Sequence, residues 1–279
     1  MSKTIKLRKG FDIKMQGVAE HIFIQNPMPD SVALKPTDFV GLTAKLAVKE
    51  GDTVLAGEPL FIDKNRPEVQ FTSPVSGVVS AINRGARRAL LNVVVKPDAE
   101  IKYKSFDFGD LDGMNREQVV AAMLEAGVWP FIKQRPFDII ANPNEKPKSI
   151  HISTFDTAPL APDYTFALEE SAADFQVGVN VLRKLTDGVV NLNIYKEDRA
   201  KTTFTQITGV EQNYFTGPHP AGNVGVQIHH IDPINKGDVV WVVNPQAVAI
   251  IGRLFSQKKF DARVVVALTG AVKSPRYYK

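Results

Sequence analysis

Residues 46–98 constrain the fold most. They hold two turn-punctuated β patterns in succession, and no good helix pattern occurs between residues 40 and 98. In LAVKEGDTVLAGEPLFID (46–63), Gly51-Asp52 and Gly57 stand at turn positions, with valine and leucine between them. TSPVSGVVSAINRGARRALLNVVVKPD (72–98) repeats the design: Ser73-Pro74 and Gly77 make a turn, and β-branched runs flank Asn83-Arg84-Gly85. Two hairpins built alike predict a compact β-sandwich of quasi-symmetric halves.

From about residue 114 the rhythm changes. NREQVVAAMLEAG (115–127) predicts a helix, with Asn115 as N-cap, Gln118 at N3 of a capping box and Gly127 at C′. Val119, Ala122, Met123 and Ala126 form its apolar stripe. Strands are expected at 149–154, 188–195, 238–243 and, as another buried strand, 262–268. Helices are expected at 171–185 and after Asn244, where Pro245 takes the N1 position. Apolar strands alternating with helices predict an α/β layer with a mostly parallel sheet. The expected division is a β domain over 1–100, a linker over 101–114 and an α/β, Rossmann-like domain over 115–279.

The 279 residues include no cysteine, which excludes thiolate-held zinc, iron–sulfur clusters, disulfides and thiol catalysis within this chain. The net charge of +4 is a mild bias, since 34 basic residues are interspersed with 30 acidic ones. It suits an acidic partner or an anionic membrane surface, whereas the aromatic-interleaved basic stripe of a nucleic-acid binder is missing. No apolar segment follows the basic residues at the start as in a signal peptide. The most apolar stretch, Val239 to Gly252, is broken at Asn244-Pro245 and falls short of the roughly 20 residues a membrane span needs. Any membrane role is expected to be peripheral.

Three motifs invite chemistry. Lys64, in LFIDKNRPEVQFTSPVSG, is placed somewhat like the swinging lysine of lipoyl and biotinyl hairpins. It stands ten residues before Pro74, and Asn65-Arg66-Pro67 widens the turn, so a solvated loop lysine is expected. TGPHPAGNVGVQIHHIDP (216–233) gathers three of the five histidines. Read as a turn entering a strand, it points His229 and His230 to opposite faces. A metal would then need His219 and distant carboxylates such as Asp232, and a rigid turn is the reading favoured over a metal site or phosphate loop. No G-x-G-x-x-G, no G-x-x-x-x-G-K-[ST] and no serine nucleophile elbow occurs.

Several segments together resemble one family. FVGLTAKLAVKEGDTVLAGEPLFIDKNRPEVQFTSPVSGVVSAINRGARRALLNVVV, RPFDII, FDTAPLAPD, GPHPAGNVG, AIIGRLF and VVVALTGAVKSPR occur in the order found in the NqrA family, one of the subunit types of the bacterial sodium-translocating NADH:quinone oxidoreductases. They are spread over nearly the whole chain. One departure is Gln227-Ile-His229 followed by His230, where the family often has His-x-His before an aromatic.

The resemblance implies an N-terminal barrel-sandwich hybrid, biotinyl-like, then an α/β domain resembling the flavin-subunit fold of complex I. It also implies a further C-terminal region beyond residue 279. The related complex I and Rnf subunits hold flavin phosphate with a glycine-rich run after a helix. Here Trp129, Pro130, Phe131 and Gln134 stand where those glycines would be, so side chains fill the space that backbone N–H groups must approach.

The implied role is a peripheral subunit on the cytoplasmic face of the bacterial inner membrane. It would help form the quinone or inhibitor site and assist assembly, with quinone as ligand of the complex and no covalent or redox cofactor of its own. NAD and flavins would belong to partner subunits, and no nucleic acid is expected. Candidate quinone contacts are Phe39 and Gly41 in LKPTDFVGL (34–42), Trp129, Phe131, Lys133, Arg135 and Phe137 in WPFIKQRPF (129–137), and His219. No catalytic or metal residue is expected. The alternatives are a carrier module modified on Lys64 and an Rnf-like flavin- and NADH-handling subunit.

Overall fold

The computed structural model describes residues 3–279. In chain order the strands of its first third are β1 (Lys3–Lys6), β2 (Glu20–Ile24), β3 (Val32–Leu34), β4 (Ala44–Leu46), β5 (Thr53–Val54), β6 (Pro59–Asp63), β7 (Gln70–Thr72), β8 (Gly77–Arg84) and β9 (Leu90–Pro97). Helix α1 (Arg116–Glu125) precedes β10 (Ile132–Arg135) and β11 (Ile139–Ile140). Then come β12 (Ser149–Ser153), α2 (Tyr164–Ala167), α3 (Ala172–Arg183), β13 (Val189–Tyr195), α4 (Thr202–Thr205), β14 (Glu211–Thr216), α5 (Val224–Ile231), β15 (Val240–Val243), α6 (Pro245–Gln257), β16 (Val266–Ala267) and β17 (Arg276–Tyr278).

The chain divides into two compact units that do not follow its order. One, the α/β unit, takes residues up to Asn26, Asn144–Gly252 and Arg263–Lys279; the other, the β unit, takes Pro27–Pro143 and Arg253–Ala262. The sequence reading cut the chain once, at 101–114. A single cut cannot express a division in which the N-terminal strand joins the last third of the chain.

In the α/β unit, β1, β14, β13, β12 and β15 lie side by side in that order, and the pairings β1–β14, β14–β13, β13–β12 and β12–β15 are all parallel. Their apolar positions are buried, as a sheet with covered faces requires: Ile150, Ile152, Leu192, Val240 and Val243 have almost no exposure. Helices α3 and α6 cross at very short range. A Cβ on Gly178 would stand 2.0 Å from the Val248 carbonyl oxygen, and one on Gly252 1.7 Å from that of Asp174.

In the β unit, β3-β9-β8-β5 form a four-stranded antiparallel sheet and β4-β6-β7 a three-stranded one. Leu60, Phe61, Val69, Phe71, Val79, Val93 and Val95 are buried between turn-rich hairpins. Helix α1 carries the expected capping box. The Asn115 side chain accepts from the Gln118 N–H at 2.9 Å, and Gln118 Oε1 accepts from the Asn115 N–H at 2.9 Å. Gly127 ends the helix at φ +72, and its missing Cβ lets the backbone approach Thr72, whose Oγ1 would be 2.4 Å away.

Two sequence readings are corrected. GPHPAGNVG enters a helix, not a strand: Asn223 caps α5 by accepting from the Gly225 N–H at 2.9 Å. VGVQIHHI is short and rich in branched residues, so its local pattern fits either structure. His229 and His230 therefore sit on the last turn of a helix, with their rings edge to face at 5.3 Å. The run at 262–268 is likewise no buried strand. Only Val266–Ala267 pair, in a three-stranded sheet with β17 and β2, and Val264, Val266 and Leu268 are exposed. The segment is tied down instead by the Gln246 amide, which donates to the Val265 carbonyl at 2.9 Å and accepts from its N–H at 2.7 Å.

Candidate functional site

The two candidate segments, 34–42 and 129–137, both lie in the β unit. A short 3-10 turn at Pro36–Asp38 delivers Phe39, half-buried, edge-on to Phe71 at 4.6 Å, and Phe71 in turn stacks on Phe61 at 5.0 Å. The Lys133 ammonium lies 5.4 Å from the centre of the Phe39 ring. Burial lowers the Lys133 pKa below the usual lysine value, with Asp138 acting in the opposite direction. This cation, held against an aromatic face, is the point where the two segments meet.

Strands β10 and β11 make the hairpin that carries Lys133, Arg135 and Phe137, with Lys133 opposite Ile140. Phe137 stands at its tip, 75% exposed, beside Asp138 at φ 55. Arg135 pairs with Asp138 at 3.4 Å, and its Nε is buried without a partner. Arg66 fastens this hairpin to the β6–β7 turn: its guanidinium donates to the carbonyls of Ile140 and Ala141 at 3.2 and 3.3 Å and to Asp63 at 3.2 Å. Lys64 lies in that turn, its own N–H held by the Thr43 carbonyl at 2.8 Å.

The remaining candidates are placed differently. Trp129 has no exposed surface, and its indole N–H donates to the Ala141 carbonyl at 2.8 Å, so it packs the core. Phe131 is half-buried against Phe260, with ring centres 6.5 Å apart. Gly41 is an exposed turn glycine at φ +77. His219 belongs to the α/β unit. Its Nδ1 lies 3.1 Å from the Thr157 hydroxyl, and its backbone N–H donates to Asp12 at 2.8 Å. The turn around it closes through Ala221 N–H to Pro218 O and Asn223 N–H to Pro220 O.

A groove of about 690 Å³ opens beside Phe39. Leu42, Leu46 and Leu90 contribute apolar surface, and Lys45, Lys64, Arg84 and Arg88 contribute charge. Sequence reasoning found Phe39 but missed the groove, because residues 36–46, 64 and 84–90 come together only through the pairing of β3 with β9 and of β4 with β6. The α/β unit has a smaller hollow of about 330 Å³, lined by His21, Asp163, Thr165, Phe166, Lys201 and Thr203 among others. His21 stacks on Phe166 at 4.5 Å, with Nε2 3.5 Å from Asp163. Burial works to raise the Asp163 pKa, but hydrogen bonds from Thr165 and Lys201 overcome it and hold the carboxyl below its usual range. No local pattern could have signalled this hollow, since its walls come from three separate stretches of chain.

Among the described residues, no group of three or more His, Asp or Glu could hold a metal ion, and no helix is long and apolar enough to cross a membrane. Two family models match: the NqrA N-terminal barrel-sandwich hybrid domain over residues 5–98 and the NqrA second alpha/beta domain over residues 114–260. The chain belongs to the NqrA family. Relatives named as the NqrA component of Na(+)-translocating NADH-quinone reductase are 39% identical over 268 residues in Yersinia pestis, covering 95% of this chain and 60% of that one. In Alcanivorax borkumensis the identity is 37% over 278 residues, covering 98% and 61%. In Neisseria meningitidis it is 36% over 275 residues, again covering 98% and 61%. The NqrA chain described here thus spans about 60% of the length of these relatives. A solved NAD+-reducing [NiFe]-hydrogenase overlaps 64% of this chain and 42% of its own, at 11% identity and a TM-score of 0.41, too little to carry an argument.

Proposed function

We propose that this chain acts as the NqrA component of a sodium-translocating NADH:quinone reductase, docked peripherally on the cytoplasmic face of a bacterial inner membrane among the other subunits. In this reading it helps form the quinone or inhibitor site and the assembled complex. It carries no redox centre of its own, and NAD and flavins belong to its partners. The names of the relatives support the complex. The approach of Lys133 to Phe39 supports the site. A quinone headgroup takes apolar walls and one or two donors. Phe39 supplies a partly open ring, Lys133 a donor whose burial strengthens its pull on a carbonyl oxygen, and Phe137 and Arg135 an exposed ring and a guanidinium on the same hairpin.

The same proposal includes the likeness of the α/β domain to the flavin-binding fold of complex I. A flavin-free version of that fold is supported by the buried indole of Trp129 in the stretch where a phosphate cradle would need open backbone. The carrier alternative is less well supported, since the backbone at Lys64 is tied to Thr43 and the turn beside it is braced by Arg66. The test is the assembled complex carrying Lys133→Met. Loss of one charged donor predicts a quinone KM raised about tenfold, with a parallel loss of inhibitor sensitivity and normal subunit stoichiometry. Unchanged KM and sensitivity in a normally assembled complex would overturn the site.

A further inference from the structure

A quinone is neutral, yet the groove beside Phe39 presents four cations, Lys45, Lys64, Arg84 and Arg88. All four are exposed, and no carboxylate lines the groove. Among the described residues, none of the four is ion-paired, and the one hydrogen bond to which the Arg84 side chain commits is to the Arg88 carbonyl, at 3.1 Å. In a chain with 34 basic and 30 acidic residues, a local cluster without a counter-charge departs from the average. Like charges facing one hollow repel one another, and a bound anion relieves that repulsion. Between them Phe39, Leu42, Leu46 and Leu90 are all half-buried, which leaves apolar surface open along the groove.

The backbone at one rim is unusual as well. Arg87 and Arg88 follow one another at φ 53 and φ 62, in the left-handed region that L residues enter at a steric cost. The chain has a glycine two residues earlier, at Gly85, yet puts arginines in the costly positions. Strain of this kind gathers where side chains are held for a ligand.

We propose that this groove binds an anionic amphiphile: a single-chain molecule with an apolar tail and a phosphate or carboxylate head. The tail lies on Phe39, Leu42, Leu46 and Leu90, and the head is taken by Lys64, Arg84 and Arg88. The volume of about 690 Å³, at about 30 Å³ per heavy atom, holds about 20 heavy atoms. That is one amphiphile, taken as a monomer into a concave site, as opposed to a bilayer lying against a flat basic face. The binding does not depend on the quinone reading, although Phe39 serves both.

The test titrates the 279-residue chain with dodecyl phosphate below its micellar concentration, and in parallel with dodecanol, inorganic phosphate and phosphatidylglycerol vesicles. The expected result is saturable one-to-one binding of dodecyl phosphate that weakens with salt. Dodecanol and inorganic phosphate should each bind at least tenfold more weakly. The double variant Arg84→Gln, Arg88→Gln should weaken dodecyl phosphate at least tenfold with an unchanged melting temperature. If that hairpin variant melts early, Lys64→Gln gives the same reading from a different turn. Equal binding of dodecanol, equal binding of inorganic phosphate, or unchanged affinity in folded variants would overturn the proposal. So would binding to vesicles or to an acidic peptide without saturable binding of the monomer.

Discussion

The two units use polar groups in opposite ways. In the α/β unit they lie inside, on the sheet. Asn213 donates to the side chains of Asn191 at 3.0 Å and Asn193 at 3.4 Å, Asn193 donates to Gln227 at 2.9 Å, and Gln227 donates to Ser153 at 2.9 Å. His151, next along the same sheet face, shares its Nε2 with Ser149 at 3.1 Å and Asn191 at 3.4 Å. In the β unit the core is aliphatic and aromatic, and the charged groups of the groove stand outside without partners. Buried polar groups bonded to one another specify one packing and have little left to offer a ligand. Unpaired groups at a surface do little for the fold and remain available for binding. The contrast teaches that the more polar interior belongs to the scaffold, and that the binding surface belongs to the plainer β unit.

The largest test of that contrast compares two glycines. Gly178→Ala in the α/β unit puts a methyl group 2.0 Å from a backbone carbonyl between α3 and α6, and should cost about 3 kcal/mol in urea unfolding. Gly51→Ala in the β unit meets open space at φ +91, and should cost about 1 kcal/mol from backbone conformation alone. Equal costs would mean that close helix packing is not what holds the α/β unit.

A second test is acid. Burial pushes the His151 pKa down to about 4 from its ordinary 6.5, with Asp232 acting weakly the other way. Between those values the unfolded chain binds more protons than the folded one, so stability falls as pH drops from 6.5 and the loss is complete below about 4. A shift of this size corresponds to about 3 kcal/mol. His151→Gln should remove that part of the pH dependence when unfolding free energies are compared between pH 7 and pH 4. An unchanged acid slope would show that His151 is not held neutral.

The sequence revealed these regions unevenly. Residues 46–98 could be read as hairpins because Gly51, Gly57 and Gly77 mark turns that local backbone geometry enforces. Helix α1 could be read because Asn115, Gln118 and Gly127 act within a few residues of one another. Helix α5 could not, since the branched residues of VGVQIHHI suit a strand equally well and only the Asn223 cap speaks for a helix. The run at 262–268 was hidden for a related reason: apolar composition records neither burial nor the Gln246 amide that holds the segment at the surface. Within the site, Lys133 and Phe39 were each visible as residue types. Their meeting was not, because it depends on the packing of segments more than ninety residues apart in the chain.

That meeting carries the account, and a double-mutant cycle on quinone KM in the assembled complex measures it directly. Phe39→Ala, Lys133→Met and the pair are compared at normal subunit stoichiometry. If the segments 34–42 and 129–137 form one quinone site, the pair should be less impaired than the product of the single effects, with a coupling of about 0.5–1 kcal/mol. Multiplicative single effects, with no coupling, would contradict a shared site.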